Sequence, residues 1–333
     1  MRMMRTTRFV LLAVGLALTG VLWWKIGLAA VLSAFAALSW RLLWLVTVPA
    51  LLMVTCDTLG WRFAFRQDRV SFRTLLSVRL AGEAVNLTTP TASVGGEAVK
   101  TWLLRPYVPL SESLPSVIIA KTTITIGQAL FLLLGLLVAW AVVPAGSVLL
   151  DSMLALLALE CVATGGFVAV QVGGAAGAIG RVLEWVGVRG PAGQSSLLSG
   201  VDAAFSHFYR REPRRFGLSV GWHLGGWMLG ILESYLILHA LGLSASLGTA
   251  TVIETFGSGI GFAAFLVPAR LGAQEAGDVA IFTALGFAAP TALAYSLVRR
   301  LREAVWALIG FLALFLLQRP SDAVLAIEPE PEI

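Results

Sequence analysis

Charge is scarce in this chain: 13% of its 333 residues are Asp, Glu, Lys or Arg, against 58% that are hydrophobic, and the mean hydropathy is +0.85. A soluble domain cannot cover its surface with so little polar material, so the composition excludes that class and points to an integral membrane protein. Lysine is nearly absent, occurring only at Lys25, Lys100 and Lys121. The net charge of +5 is therefore carried by arginines, which cluster in short stretches beside apolar runs. That placement fits the positive-inside bias of membrane proteins rather than binding to nucleic acid. Cysteine is limited to Cys56 and Cys161, both inside apolar stretches, which excludes a disulfide framework and a CxxC metal site. The three histidines, His207, His223 and His239, are spaced too widely to form a metal triad on one helix face. HExxH, G-x-S-x-G, P-loop and dinucleotide fingerprints are all missing, and no cofactor is implied.

Apolar runs of about the ~20 residues needed to cross a bilayer fall at 9–27, 42–63, 113–143, 148–172, 216–241, 246–266 and 291–317. The predicted fold is all-α, with about 7–8 transmembrane helices. The basic start followed by a long apolar run reads as a retained first span, because Trp23, Trp24 and Lys25 stand where a signal cleavage site would be. Residues 28–41 suit an interfacial helix, as does LLSGVDAAFSHFYRR after a Gly-rich linker at 173–200. Residues 320–333 are acidic and Pro-rich and read as a disordered tail. Tryptophans near span ends suit an interfacial belt. Arg2, Arg5 and Arg8 put the N-terminus in the cytoplasm; Arg62, Arg66, Arg69, Arg73 and Arg79, and then the arginines of 173–215, follow the same rule. The three assignments agree only if 82–106 enters and leaves on one face.

One pattern occurs twice. PTASVGGE at Pro90–Glu97 and PARLGAQE at Pro268–Glu275 each set a proline and a glutamate seven residues apart. Pro115, Gln128 and Gly135 recur in the same spacing as Pro290, Glu303 and Gly310. Proline removes a backbone donor and glycine loosens a helix, so each copy predicts a broken or re-entrant segment. The half-repeats are roughly 1–172 and 201–319 of a single membrane domain. Counting 246–266 as a crossing puts four spans between the copies, a parallel repeat; one further crossing would make it inverted. Matched breaks of this kind point to a substrate site between the halves.

Three constellations could carry that function. The first is Glu83, Asn86, Pro90, Gly95, Gly96, Glu97 and Lys100, where the glycine pair offers amides to an anionic oxygen. The second is Pro268, Arg270, Gly272, Gln274, Glu275 and Asp278, in which the planar fork of Arg270 suits a phosphate. Glu254, upstream, either pairs with a buried arginine or lines a water-filled groove. The third is the polar stripe Lys121, Thr125 and Gln128, with Arg299 and Glu303 in the second half. Ionised groups at membrane depth cost roughly 2.5–3.5 kcal/mol or more, and usually mark a pathway. Glu160 and Glu233 also fall in spans, as isolated acids.

GEAVNLTTPTASVGGEAVK, a lysine-bearing apolar helix and a later VPxxLGxQE resemble the flippase-like lysylphosphatidylglycerol synthase transmembrane family, over about residues 8–317. Many members carry glycine after the second proline, where this chain has Ala269-Arg270. The resemblance implies movement of a lipid between leaflets of the bacterial inner membrane, without the aminoacyl-transfer domain of the best-known members. Trp227, Gly230, Glu233 and Tyr235, FLVP and SLVRRLRE resemble the subgroup found beside hopanoid-biosynthesis genes. The expected function is translocation of a lipid or lipid-linked molecule, linked to hopanoid or phospholipid metabolism. The expected partner is the lipid itself, with a homo-oligomer or a lipid-biosynthesis complex left open. Two alternatives stand beside it: an enzyme acting on a lipid headgroup through Glu97 or Glu275, and a non-transporting member of such a complex.

Overall fold

The computed structural model describes residues 41–67, 69–89, 94–144, 146–174 and 194–318. The expected first span, the helix at 28–41, most of the linker, the tail and Pro90 lie outside the described residues. The fold is all-α: ten α-helices and no strand occur among the described residues. They are α1 Arg41–Arg62, α2 Phe72–Thr88, α3 Gly95–Leu103, α4 Leu110–Val142, α5 Val148–Val172, α6 Gln194–Arg211, α7 Pro213–Ala240, α8 Leu247–Ala263, α9 Ala273–Ala284 and α10 Ala289–Leu317. A 3-10 turn, Pro268–Arg270, joins α8 to α9.

Helices α4 and α5, at 33 and 25 residues, are long and apolar enough to cross a bilayer. The runs expected at 42–63, 216–241 and 291–317 correspond to α1, α7 and α10, which carry more ionisable side chains. In the run at 246–266, α8 has 17 residues, at the lower limit for a full crossing, and ends just before the turn at Pro268–Arg270. Amphipathic α6 buries Val201, Phe205 and Phe208, four and three residues apart, against Trp61, Phe65 and Leu104.

The repeat extends further than its Pro/Glu signature. Helices α2 and α8 are both 17 residues long and both open on a capping serine. Ser71 accepts from the Thr74 amide, and Ser246 from the Thr249 amide, 175 positions later. Such a cap satisfies one of the first-turn amides of a helix and fixes where it starts. Val142 ends α4 and Leu317 ends α10, again 175 apart.

Two equivalent crossings join the halves. A side chain at Gly135 of α4 would collide with Thr255 of α8, and one at Gly310 of α10 with the Leu80 carbonyl and Ala84 of α2. Thr255 stands 175 positions after Leu80, so the long helix of each half lies on the first arm of the other. Each copy is thereby incomplete alone: α4 closes the second break and α10 closes the first. Small residues that let helix backbones approach are the usual device for this inside a bilayer, where hydrophobicity does not drive helix association.

Arg79 departs from expectation. It is not a loop arginine but sits in the middle of α2, 8% exposed, donating to Asp57 of α1 at 2.8 Å.

Candidate functional site between the two breaks

The first break is closed by its own side chains. Gly82 and Gly96 bring α2 and α3 together so closely that a side chain at either would strike the other's backbone. Asn86 bridges the arms: its Oδ1 accepts from the Gly96 amide at 2.8 Å and its Nδ2 donates to Glu97 at 3.3 Å. The Gly96 amide, expected to be open to an anion, is therefore already engaged. Lys100 is 4% exposed, with its ammonium 2.6 Å from Glu83, 3.1 Å from Glu97 and 5.9 Å from the Trp61 ring centroid. Lys121 approaches Glu97 only to 3.9 Å and keeps 46% of its side chain exposed.

The second break is held by arginines. Ala269 and Arg270 take left-handed φ values of 49° and 54°, and Gly272 takes 78°. Arg300 pins this turn, donating to the Ala269 carbonyl, Glu275 and Glu303 at 2.7, 2.7 and 2.8 Å. Glu275 also accepts from the Gly272 amide at 2.7 Å, which starts α9. Left-handed alanine costs roughly 1–2 kcal/mol, less the entropy glycine would bring. Ala269→Gly is expected to raise the thermal midpoint in detergent by an amount worth up to about 1 kcal/mol; a lower midpoint would mean that the turn is not left-handed there.

Between the breaks lies a groove of about 380 Å³. Glu83, Asn86, Lys121, Thr125, Gln128, Arg270, Gln274 and Arg299 supply its polar lining, and Trp227, Phe262, Phe265 and Leu266 are among its apolar lining. Gln128 crosses from one half to the other, donating to the Ser258 carbonyl at 2.9 Å. A second cavity of about 260 Å³ lies between α1, α2 and α10; Glu83 and Arg270 line both spaces. A small space of about 80 Å³ beneath the first break reaches Glu97 and Lys100.

The expected residues thus divide into two sets. Glu83, Asn86, Lys121, Gln128, Arg270 and Arg299 converge on the groove. Glu97 and Lys100 lie under it, while Gly95, Gly96, Pro268 and Gly272 shape the backbone. Glu254 does not line the groove: it is 1% exposed and pairs with Arg299 at 2.7 Å, with Ser234 and Tyr295 also on its Oε2. Glu275 is buried as a capping group, and Glu303 faces the second cavity, 2.8 Å from Arg270.

The family model described as the lysylphosphatidylglycerol synthase TM region matches residues 9–322. The chain belongs to that family. It is a membrane protein of a family tied by that description to lipid metabolism. No curated protein and no solved structure matches the chain.

Within this member of the lysylphosphatidylglycerol synthase TM family, one buried acid, Asp57, escaped the reading of the sequence, while Glu233, an isolated acid in its span, finds a partner on another helix. Asp57 joins three helices, bonding Arg79 of α2 at 2.8 Å and the fully buried His223 of α7 at 2.9 Å. Glu233 of α7 pairs with Arg302 of α10. The signal for Asp57 was available: it is a lone acid within an apolar run, the same criterion that singled out Glu254. Arg302 stood beside Arg299 and Glu303 in SLVRRLRE and carried no separate mark.

Proposed function

We propose that the protein moves a lipid or lipid-linked molecule across the bacterial inner membrane, its headgroup passing through the groove between the two breaks. The observation that carries this reading is the groove itself, lined by charged and amide side chains from both halves together with the apolar Trp227, Phe262, Phe265 and Leu266. A headgroup leaving water loses hydration worth several kcal/mol, which fixed polar groups replace. Lys121 and Arg270, whose side chains are 46% and 38% exposed, suit a phosphate-bearing headgroup. Acyl chains would remain against Phe265 and Leu266, both exposed.

Topology supports alternation. With α2–α3 and α8–α9 each read as a re-entrant pair, three full-length helices separate them: α4, α5 and α7. An odd number makes the repeat inverted, so one break opens to each face, and the chain, starting in the cytoplasm, ends there too. The equivalent crossings at Gly135 and Gly310 give the two halves a shared pivot. This count replaces the parallel arrangement that follows when α8 is taken as a span.

The enzyme alternative is weaker. Glu97 and Glu275, its candidate acids, are both held in ion pairs, and Glu275 is spent on a helix start. The hopanoid link rests on the sequence phrases alone. The test is leaflet exchange of fluorescent phosphatidylglycerol in liposomes carrying the purified protein. Arg270→Gln is expected to slow exchange by about tenfold, the equivalent of roughly 1.4 kcal/mol, while leaving the fold intact, because Glu303 keeps Arg300. Exchange at the wild-type rate in that variant, or a covalently altered lipid in wild-type membranes, would sink this reading.

A further inference from the structure

One acid of the second half occupies the place of a base in the first. Lys100 packs on Gly82 across the first break; Asp278 packs on Gly257 across the second, in the same register of the repeat. Ser296 of α10 stands where Lys121 stands on α4, 175 positions earlier. The positions of two ammonium groups thus hold a carboxyl and a hydroxyl.

Asp278 is 1% exposed and forms no ion pair among the described residues. Its Oδ2 accepts from the Ser296 hydroxyl at 2.6 Å and its Oδ1 from Gln274 Nε2 at 3.2 Å. The other acids of the two break networks each meet a base: Asp57 with Arg79, Glu83 and Glu97 with Lys100, Glu233 with Arg302, Glu254 with Arg299, Glu275 with Arg300, and Glu303 with Arg270. Helices α8 and α10 pack against α9; Tyr295 and Arg299 of α10 are the ionisable groups within electrostatic reach of Asp278, Glu254 of α8 binds both of these, and Glu275 lies on the helix of Asp278 itself. Arg299 is committed to Glu254 through both guanidinium nitrogens, at 2.7 and 3.3 Å. An ionised Asp278 would be the uncompensated charge of the network, and a buried carboxylate in that position takes up a proton instead.

Gln274 ties this carboxyl to the groove. Its amide donates to the Gly257 carbonyl at 3.2 Å and to Asp278, and the same side chain lines the groove. We infer that Asp278 is a proton-binding site whose protonation and release couple headgroup passage to a proton gradient. The inference rests on the translocation reading for its coupling, not for the site. Binding forms one O–H bond at the carboxyl. Release leaves a carboxylate held by the Ser296 hydroxyl and the Gln274 amide until the next proton arrives.

Two measurements separate the parts. Infrared difference spectra of the wild-type protein on titration from acid to alkaline pH should lose the carbonyl band of a protonated carboxyl, and Asp278→Asn should lack that component. Ser296→Ala should keep the band but shift the pH at which it disappears, a readout that a purely structural role would leave unmoved. In liposomes with fluorescent phosphatidylglycerol, a gradient of about one pH unit can sustain up to about a tenfold leaflet asymmetry at one proton per lipid. The wild-type protein should build at least a threefold asymmetry, abolished by a protonophore, and Asp278→Asn should only equilibrate the leaflets. An unchanged band in Asp278→Asn overturns the proton site. Asymmetry driven by a sodium gradient at fixed pH, or built equally by Asp278→Asn, overturns the coupling. Absence of any lipid movement in the wild-type protein overturns translocation and the coupling together, while the band tests the site by itself.

Discussion

Gly310→Ala and Gly135→Ala should each lower the thermal midpoint of the detergent-solubilised protein by an amount worth about 3 kcal/mol, the upper range for overpacking, and only the second should be rescued. At Gly310 the new methyl meets the carbonyl oxygen of Leu80, and backbone cannot step aside without parting α10 from α2. At Gly135 the collision is with the Thr255 side chain, including its Cβ, so Thr255→Gly removes the obstacle. That rescue is partial, since glycine inside a helix costs about 1 kcal/mol. Ala84→Gly should not rescue Gly310→Ala, because the Leu80 carbonyl remains. Wild-type midpoints in both single variants would mean that the halves do not cross at these glycines, and the shared pivot would be lost. The effect should extend to lipid exchange, because each crossing joins the long helix of one half to the break of the other.

These two glycines also mark what the sequence could reveal. Spacing of Pro115, Gln128 and Gly135 against Pro290, Glu303 and Gly310 exposes the repeat, because backbone-breaking residues leave their mark in one dimension. It says nothing about which helix each glycine touches. The exchange between halves appears only when Thr255 and Leu80 are seen to be equivalent. Length alone does not decide one element: Leu247–Ala263 and the FLVP that follows are continuously apolar and read as a span, while the turn at Pro268–Arg270 suits the re-entrant arm proposed above. Charge misled in one place. Arg79 follows a run of loop arginines and was grouped with them, yet it points to Asp57, and a charge alone does not declare its partner. Family resemblance located Ala269 as a departure from glycine; the left-handed φ there gives the physical reason why glycine suits that position.

The last contrast concerns the two lysines beside the first break, which the sequence presents as similar and the fold does not. Lys100→Met is expected to destabilise the protein by about 2–3 kcal/mol, less than the ~3–5 kcal/mol of breaking a fully buried ion pair, because Glu83 keeps 47% of its side chain exposed and Glu97 19%. Its ammonium is the near partner of both Glu83, at 2.6 Å, and Glu97, at 3.1 Å, so the variant leaves two acids in the break without their cation. Combining it with Glu83→Gln should recover part of the loss. Lys121→Met should behave otherwise. The sequence marks Lys121 only as the head of a polar stripe; the structure gives the task of neutralising Glu83 and Glu97 to Lys100. With a separation of 3.9 Å and a side chain 46% exposed, the Lys121–Glu97 pair is worth no more than about 1 kcal/mol after solvent screening. The thermal midpoint of Lys121→Met should therefore stay close to wild type. Leaflet exchange should nonetheless fall by about tenfold or more, the equivalent of at least roughly 1.4 kcal/mol, because this ammonium faces the groove without a short ion pair and is free to meet a headgroup. Lys121→Arg, which keeps the charge, should retain most of the rate. A midpoint as low as that of Lys100→Met would return Lys121 to a structural role. Wild-type exchange in Lys121→Met would remove it from the path and leave Arg270 as the remaining phosphate ligand to test.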